Sequence, residues 1–357
     1  MKRLIIADVK SYSYNGKSIG HYFSVAQNYL ELYSEVIITK VAGGPLYFSH
    51  FNNSEVFALP YNSISGESQL KNKWKTLMNC KYLFRNSTPQ DIIVLQHSGA
   101  STTFLGIALF AKKNMNNIFV IQYDTDSISN PIKKFIYKLA QNKIKGFICP
   151  NELIGKSYKR PYCIVTDYIY NQTERQIKFQ SLIEKKYDFS IVGSIAPDKG
   201  VIEMAEYLSK SKYKTIIAGK ANEELADKLT SIAQNSSNIE LHLGFIDIND
   251  YNKYIKESRY CILNYRGVYS NRSSGVALDI LFNGIPIIGH KCNALEFIEE
   301  ENLGFLFNDI KDFNIQSIMD EQIYRKIQKN LLLYLEKQKS YKNTVIKFLN
   351  ITQNNVC

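Results

Sequence analysis

The sequence predicts an α/β protein of two domains, each built on a parallel sheet, and three observations predict it. In both halves, short apolar runs alternate with segments whose apolar residues recur at three- and four-residue spacing, the pattern of strands feeding helices. In the C-terminal half, apolar runs stop at glycine, at Gly193, Gly219 and Gly244. Strand ends of this kind open into helices in βα units, where ligands bind beyond the carboxyl ends of the strands. Finally, 357 residues with 45% hydrophobic and 22% charged content suit two globular domains of ordinary size.

Taken in order, residues 3–8, 35–39, 91–96, 118–123, 146–149 and 163–166 read as strands of the first domain. Residues 20–32, 69–85, 102–112 and 131–141 read as its helices. The N-terminus, Met1-Lys2-Arg3-Leu4-Ile5-Ile6, has too short an apolar run for a signal peptide and reads as a first strand. After Thr166 the periodicity fades into a polar stretch reaching Lys186, which places the junction there: 1–170 first domain, 171–320 second domain. Residues 321–357 form a basic helical tail. No run of about 18 apolar residues provides a spanning helix. The six cysteines, at 80, 149, 163, 261, 292 and 357, are scattered without metal-ligand spacing, several inside apolar strand patterns. They read as buried free thiols of a reducing compartment, and the expected location is the cytoplasm.

The second domain carries the chemistry. Phe189-Ser190-Ile191-Val192-Gly193-Ser194 is an apolar run closed by small residues, followed by Ala196-Pro197-Asp198-Lys199-Gly200. Thr215-Ile216-Ile217-Ala218-Gly219 is a second run of the same kind. Asn271-Arg272-Ser273-Ser274-Gly275 then leads into the helical run Val276-Ala277-Leu278-Asp279-Ile280-Leu281-Phe282, stopped by Asn283-Gly284. Serine at the start and glycine past the end are helix boundary signals. Glycines let a ligand approach the backbone, and the first amides of a helix suit a phosphate. Asp279, four residues beyond Gly275, shares its helix face and is placed to accept hydrogen bonds from ribose hydroxyls.

In order and spacing, residues 188–307 resemble the C-terminal domain of GT-B glycosyltransferases, in particular the family-four type. The resemblance implies two Rossmann-like domains facing a central cleft, a last helix crossing back to the first domain, and a nucleotide-sugar donor. It implies transfer to a glycan or lipid-linked glycan, as in bacterial surface polysaccharide synthesis, with retention of configuration and without metal or other cofactor. Lys199 matches the family lysine that offsets charge on the departing diphosphate, whereas Ser194 stands where the family places an arginine. Arg266 and Arg272 are candidates to supply that cation. The family's paired glutamates, separated by seven other residues, correspond to Asn271 and Asp279, so this chain keeps one carboxylate of the two. The loop holding Gly16 and Gly20 is expected to touch the donor diphosphate, and the nucleotide base to lie near Phe245. The strand ends 96–99 and 122–126 point polar residues toward the same cleft. An inverting route would need a base such as His97, Asp124 or Asp126 there, whereas a retaining route needs only positioning.

The net charge of +11 calls for an anionic partner. No nucleic-acid-binding signature is present, which leaves phosphorylated ligands and an anionic membrane. The helix from Gln69 to Arg85 sets Leu70, Trp74, Leu77, Met78 and Phe84 near one face, among Lys71, Lys73, Lys75, Lys81 and Arg85. It therefore reads either as an interfacial helix at the inner face of the cell membrane or as a core-facing helix with a basic outer side. Two further readings of the whole chain are a non-catalytic nucleotide-sugar binding protein, favoured by Ser194 and Asn271, and a GT-B nucleotide-sugar epimerase.

Overall fold

The computed structural model describes residues 2–14, 17–18, 22–96, 100–165, 185–267, 269 and 272–351. The chain divides into two compact units, Met1–Thr173 with Lys339–Cys357, and Glu174–Gln338. The junction expected at 170/171 lies outside the described residues.

Unit 1 begins with β1 (Arg3–Ala7), β2 (Tyr12–Tyr14), β3 (Lys17–Ser18), α1 (Tyr22–Tyr33) and β4 (Ile38–Gly43). It continues through β5 (Val56–Ala58), β6 (Ser63–Ile64), α2 (Gln69–Asn86), β7 (Ile92–Leu95), α3 (Ala100–Phe110) and β8 (Ile118–Ile121). Last come α4 (Pro131–Gln141), β9 (Ile144–Cys149), α5 (Glu152–Ser157) and β10 (Tyr162–Ile164). Seven strands form a parallel sheet in the order β10-β9-β8-β7-β1-β4-β5, and β3-β2-β6 make a small separate sheet. From β1 the chain first runs toward β4 and β5, then returns to fill β7 to β10. Right-handed crossovers therefore place α1 on one face and α2 to α5 on the other. The cores agree: Ala26 and Leu30 of α1 pack with Val41 and Tyr47. On the opposite face Cys80, Phe104, Tyr137 and Tyr158 pack with Ile5, Ile93, Val120 and Phe147.

Two local readings are corrected. Residues 34–37 are a turn closing α1, with the Val36 and Ile37 amides donating to the Tyr33 carbonyl, so the strand expected at 35–39 is β4, starting at Ile38. In α2, Lys75 is buried and pairs with Glu67, while Phe84 lies in the core. Lys75 is thus no part of a basic rim, and Phe84 no part of an outward apolar face.

Unit 2 runs β11 (Tyr187–Val192), α6 (Val201–Ser209), β12 (Thr215–Gly219), α7 (Glu223–Gln234), β13 (Ile239–Leu243) and α8 (Ile248–Lys256). It goes on with β14 (Ser258–Leu263), α9 (Gly275–Phe282), β15 (Ile287–His290), α10 (Glu296–Glu300) and β16 (Gly304–Phe307). The helices α11 (Ile315–Ile318) and α12 (Glu321–Lys339) follow. The parallel sheet has the order β13-β12-β11-β14-β15-β16. Met204 and Leu208 of α6 and Leu229 of α7 cover Phe189, Ile217 and Ile262, with Tyr324 of α12 in the same core. The terminal helix α13 (Tyr341–Phe348) belongs to unit 1. Its Phe348 ring meets Phe119 edge-on at 5.4 Å and occupies the space a side chain at Gly146 would need.

Asp91, at the foot of β7, ties that strand to β1. Its Oδ1 accepts from Arg3 Nε at 2.9 Å and its Oδ2 from Arg3 Nη2 at 2.7 Å, with the Thr88 amide adding a third bond at 2.7 Å. Burial alone would raise the Asp91 carboxyl, but the Arg3 and Thr88 bonds and the Arg3 charge outweigh it and hold it below the usual range. The carboxyl is depressed in the folded state, so its contribution is present at neutral pH and is lost as pH falls through the folded pKa. Asp91→Asn is expected to cost about 2 kcal/mol at pH 7. The gap from the parent should close in acid, as denaturant unfolding across pH would measure; a gap independent of pH would rule this account out.

Candidate functional site

In each sheet the strand order reverses direction once, between β1 and β7 in unit 1 and between β11 and β14 in unit 2. Beyond the carboxyl ends of the strands at such a reversal, neighbouring loops leave in opposite directions and a crevice opens. Unit 2 gathers most of the candidate residues there.

Of three neighbouring strands, β12 ends in Gly219, and β11 and β13 are followed at once by Gly193 and Gly244. The Gly193 amide donates to the Ala218 carbonyl at 3.0 Å, and the Gly244 amide to the Gly219 carbonyl at 3.0 Å. A Cβ on Gly219 would lie 1.7 Å from the Gly193 carbonyl oxygen, so only glycine allows this approach. Gly193 itself has φ +107°, and a Cβ there would face Val276 of α9 at 3.8 Å. The bend after β11 thus passes beside the first turn of α9.

From this bend the chain makes a single 3₁₀ turn, Pro197–Lys199, that doubles Lys199 back. Its Nζ donates to Ser194 Oγ at 2.7 Å. Burial lowers the Lys199 ammonium and the Asp198 charge opposes that shift. The turn is stitched to the loop after β14. Asn264 Nδ2 donates to the Gly200 carbonyl at 2.9 Å and to Glu203 Oε2 at 3.2 Å, and the Arg266 amide donates to the Asp198 carbonyl at 2.7 Å. The Arg266 guanidinium is paired with Glu203 at 2.9 Å. It lies beside the turn but is already neutralised. Arg272 is exposed, and its charge is felt at Tyr269. Burial and then Asp198 raise that hydroxyl, with Arg272 opposing them.

Helix α9 starts where its sequence signals place it. Ser274 is the N-cap and its Oγ accepts from the Ala277 amide at 3.1 Å. The same Oγ shares a 2.7 Å hydrogen bond with the hydroxyl of Tyr265, whose ring stacks on Tyr269 at 3.8 Å. Ser273 and Gly275 flank this cap and are half-buried. Helix geometry leaves the Gly275 and Val276 amides without an intrahelical acceptor, and they carry the positive end of the helix dipole. One turn on, half-buried Asp279 accepts at Oδ2 from Tyr251 of α8 at 3.3 Å. Phe245 follows Gly244 and is 91% exposed, an open aromatic face at the end of β13. A Lys ammonium, a serine-capped helix start and a half-buried carboxylate can receive, in turn, phosphate oxygens and hydroxyls.

Unit 1 contributes less. Asp124 is buried, and its Oδ1 accepts from the Asp126 amide at 2.9 Å, capping its own turn. Its carbonyl accepts from Gln122 Nε2 at 3.0 Å and from the Tyr158 hydroxyl at 2.9 Å. His97, Gly16, Gly20 and, in unit 2, Asn271 lie outside the described residues. Asp8, at the reversal after β1, escaped the sequence reading. This buried carboxylate accepts from the Ser11 amide at 2.9 Å and the Tyr47 hydroxyl at 3.0 Å, holding Ser11 in a left-handed turn of φ 44°. An aspartate closing an apolar strand was the available signal. Tyr251 and Glu203, which bind Asp279 and Arg266, gave no sequence signal because their partners lie far along the chain.

No protein-family model and no curated protein sequence matches the chain. Solved structures do. Sucrose-phosphate synthase from Thermosynechococcus elongatus superposes with a TM-score of 0.67 at 12% identity, covering 97% of this chain and 96% of that one. The E. coli trehalose-6-phosphate synthase bound with UDP-2-fluoro glucose gives 0.68 at 9% identity, with 99% and 100% covered. Anabaena HepE in complex with UDP gives 0.65 at 12% identity, with 98% and 100% covered. The structural neighbours are GT-B glycosyltransferases, and the chain has the GT-B fold of two parallel-sheet α/β units.

Proposed function

We propose that this GT-B chain is a glycosyltransferase that moves a sugar from a nucleotide-sugar donor to a glycan or lipid-linked glycan acceptor. Its setting would be bacterial surface polysaccharide synthesis, in the cytoplasm or at the inner face of the membrane. The observation that carries the reading is the meeting of the Lys199 turn, the Gly193 bend and the start of α9 at the strand reversal of unit 2. The donor diphosphate lies against the α9 amides, and Lys199 leaves Ser194 Oγ to neutralise it. As the bond from the anomeric carbon to the phosphate oxygen breaks, the acceptor oxygen takes its place and the acceptor proton passes to the diphosphate. Asp279 holds the ribose and Phe245 lies under the base. Retention of configuration is what the family-four resemblance implies, and it asks of the protein only positioning and leaving-group stabilisation. UDP is the first nucleotide to test, because two of the neighbours carry UDP or a UDP sugar.

The reading is tested by thermal shift across nucleoside diphosphates and their sugars, followed by donor turnover with and without acceptor. A ligand at a hundred times its Kd should stabilise the chain by about 2.7 kcal/mol. Asp279→Ala should weaken nucleotide binding by about 1.5–3 kcal/mol, and a 2′,3′-dideoxy nucleotide should lose little further in that variant. Fully independent losses would remove the carboxylate from the ribose. A second reading, a non-catalytic donor-binding protein, is favoured by Ser194 in place of the family arginine and by the pairing of Arg266 with Glu203. Donor binding without turnover would select it. Sugar conversion without acceptor would select the epimerase, and absence of any nucleotide shift would exclude all three.

A further inference from the structure

Helix α4 carries an outward line of apolar side chains: Ile132, Phe135 and Leu139 are 74%, 62% and 51% exposed. Spacings of three and four set them along one side of the helix, while Tyr137 and Ala140 on the other side enter the core. Lys134 and Lys138, both exposed, border the line. Helix α3 packs against α4 on one side and α2 on the other, and α2 adds Leu70, 79% exposed, and Trp74, 49% exposed. None of these three helices contains a carboxylate, and α2 and α4 are rich in lysine. Single exposed apolar residues are ordinary, but three in line on one helix with a lysine border form the pattern of an interfacial face.

We propose that the outer face of α2, α3 and α4, centred on α4, docks on an anionic lipid bilayer. Charge selects this occupant. Glu67, just before α2, is taken up by Lys71 and Lys75. A second copy of the chain would therefore bring the same lysine-rich helices with no carboxylate of their own to meet them, whereas anionic headgroups offer opposite charge above an apolar layer. The aromatic and aliphatic side chains of α4 enter the headgroup boundary and the lysines remain among the phosphates. The inference does not rest on the transfer reaction, since membrane binding needs no donor.

The test is co-sedimentation of the full chain with vesicles of phosphatidylglycerol and phosphatidylcholine, and of phosphatidylcholine alone, at low and high salt. Binding should require phosphatidylglycerol and weaken with salt. Each lysine near such a surface is worth about fivefold in affinity, so Lys134→Gln with Lys138→Gln together should lower binding more than about tenfold. Phe135→Ser should lower it by about tenfold, with Tm unchanged because the ring is outside the core. Lys228→Gln, on α7 of unit 2, should bind as the parent does. Equal binding to neutral vesicles, or parent-like binding by both α4 variants, would overturn the proposal. Self-association abolished by Phe135→Ser would also overturn it, assigning the face to a second copy. Vesicle binding without donor turnover would uphold the docking face while the transfer reading failed.

Discussion

Lys199→Ala should lower sugar transfer by about a hundredfold or more while leaving the fold intact. The ammonium is held 2.7 Å from Ser194 Oγ at the end of a single turn that follows the Gly193 bend. A positive group aimed at charge that develops as a bond breaks is worth about 2.7–4 kcal/mol when removed. The loss should fall on kcat more than on KM, because the charge on the bridging oxygen grows only on the way to the transition state. Burial lowers the lysine, so activity should fall on the alkaline side at a pH below that of an ordinary lysine. The sign follows from the role: the cation is the active form and disappears as pH rises through its pKa. Lys199→Arg, which keeps its charge, should abolish that alkaline limb. Near-parental turnover by Lys199→Ala would remove the residue from the mechanism.

Gly219→Ala should be strongly damaging to unit 2. The added methyl would sit 1.7 Å from the Gly193 carbonyl oxygen and 3.4 Å from Ile195 Cγ1. The first of these is backbone of an adjacent strand end, so no side-chain rotation relieves the clash. Overpacking of this kind costs about 3 kcal/mol, or about 10 °C in Tm for a unit of this size. Relief must shift the Gly193 bend relative to Gly219, and with it the bend that lies beside α9, so nucleotide affinity should fall together with stability. A variant with parental Tm and parental nucleotide binding would show that the close approach of these strand ends carries neither.

The local alphabet of this chain was legible because its signals are short-range. Apolar runs closed by glycine specify β11 and β12, and a serine before an apolar helical run, with Gly284 after it, specifies the bounds of α9. The same holds for α4, whose bounds Pro131–Gln141 are those of its sequence pattern. Which side of α4 faces the core was not legible, because the helix is apolar on two sides and periodicity does not distinguish them. Nor was the outward turn of Trp74 separable from the inward turn of Phe84 in α2. The site divides in the same way. Lys199, Ser274 and Asp279 stand at positions that motif and spacing mark. That Arg266 is neutralised by Glu203 and Asp279 bonded to Tyr251 depends on contacts between residues far apart in sequence. The order of the strands decides those contacts: β14 lies beside β11, and both loops leave at the reversal. Strand order is set by how the helices cover the two faces of the sheet, a property of the packed whole that no short segment encodes.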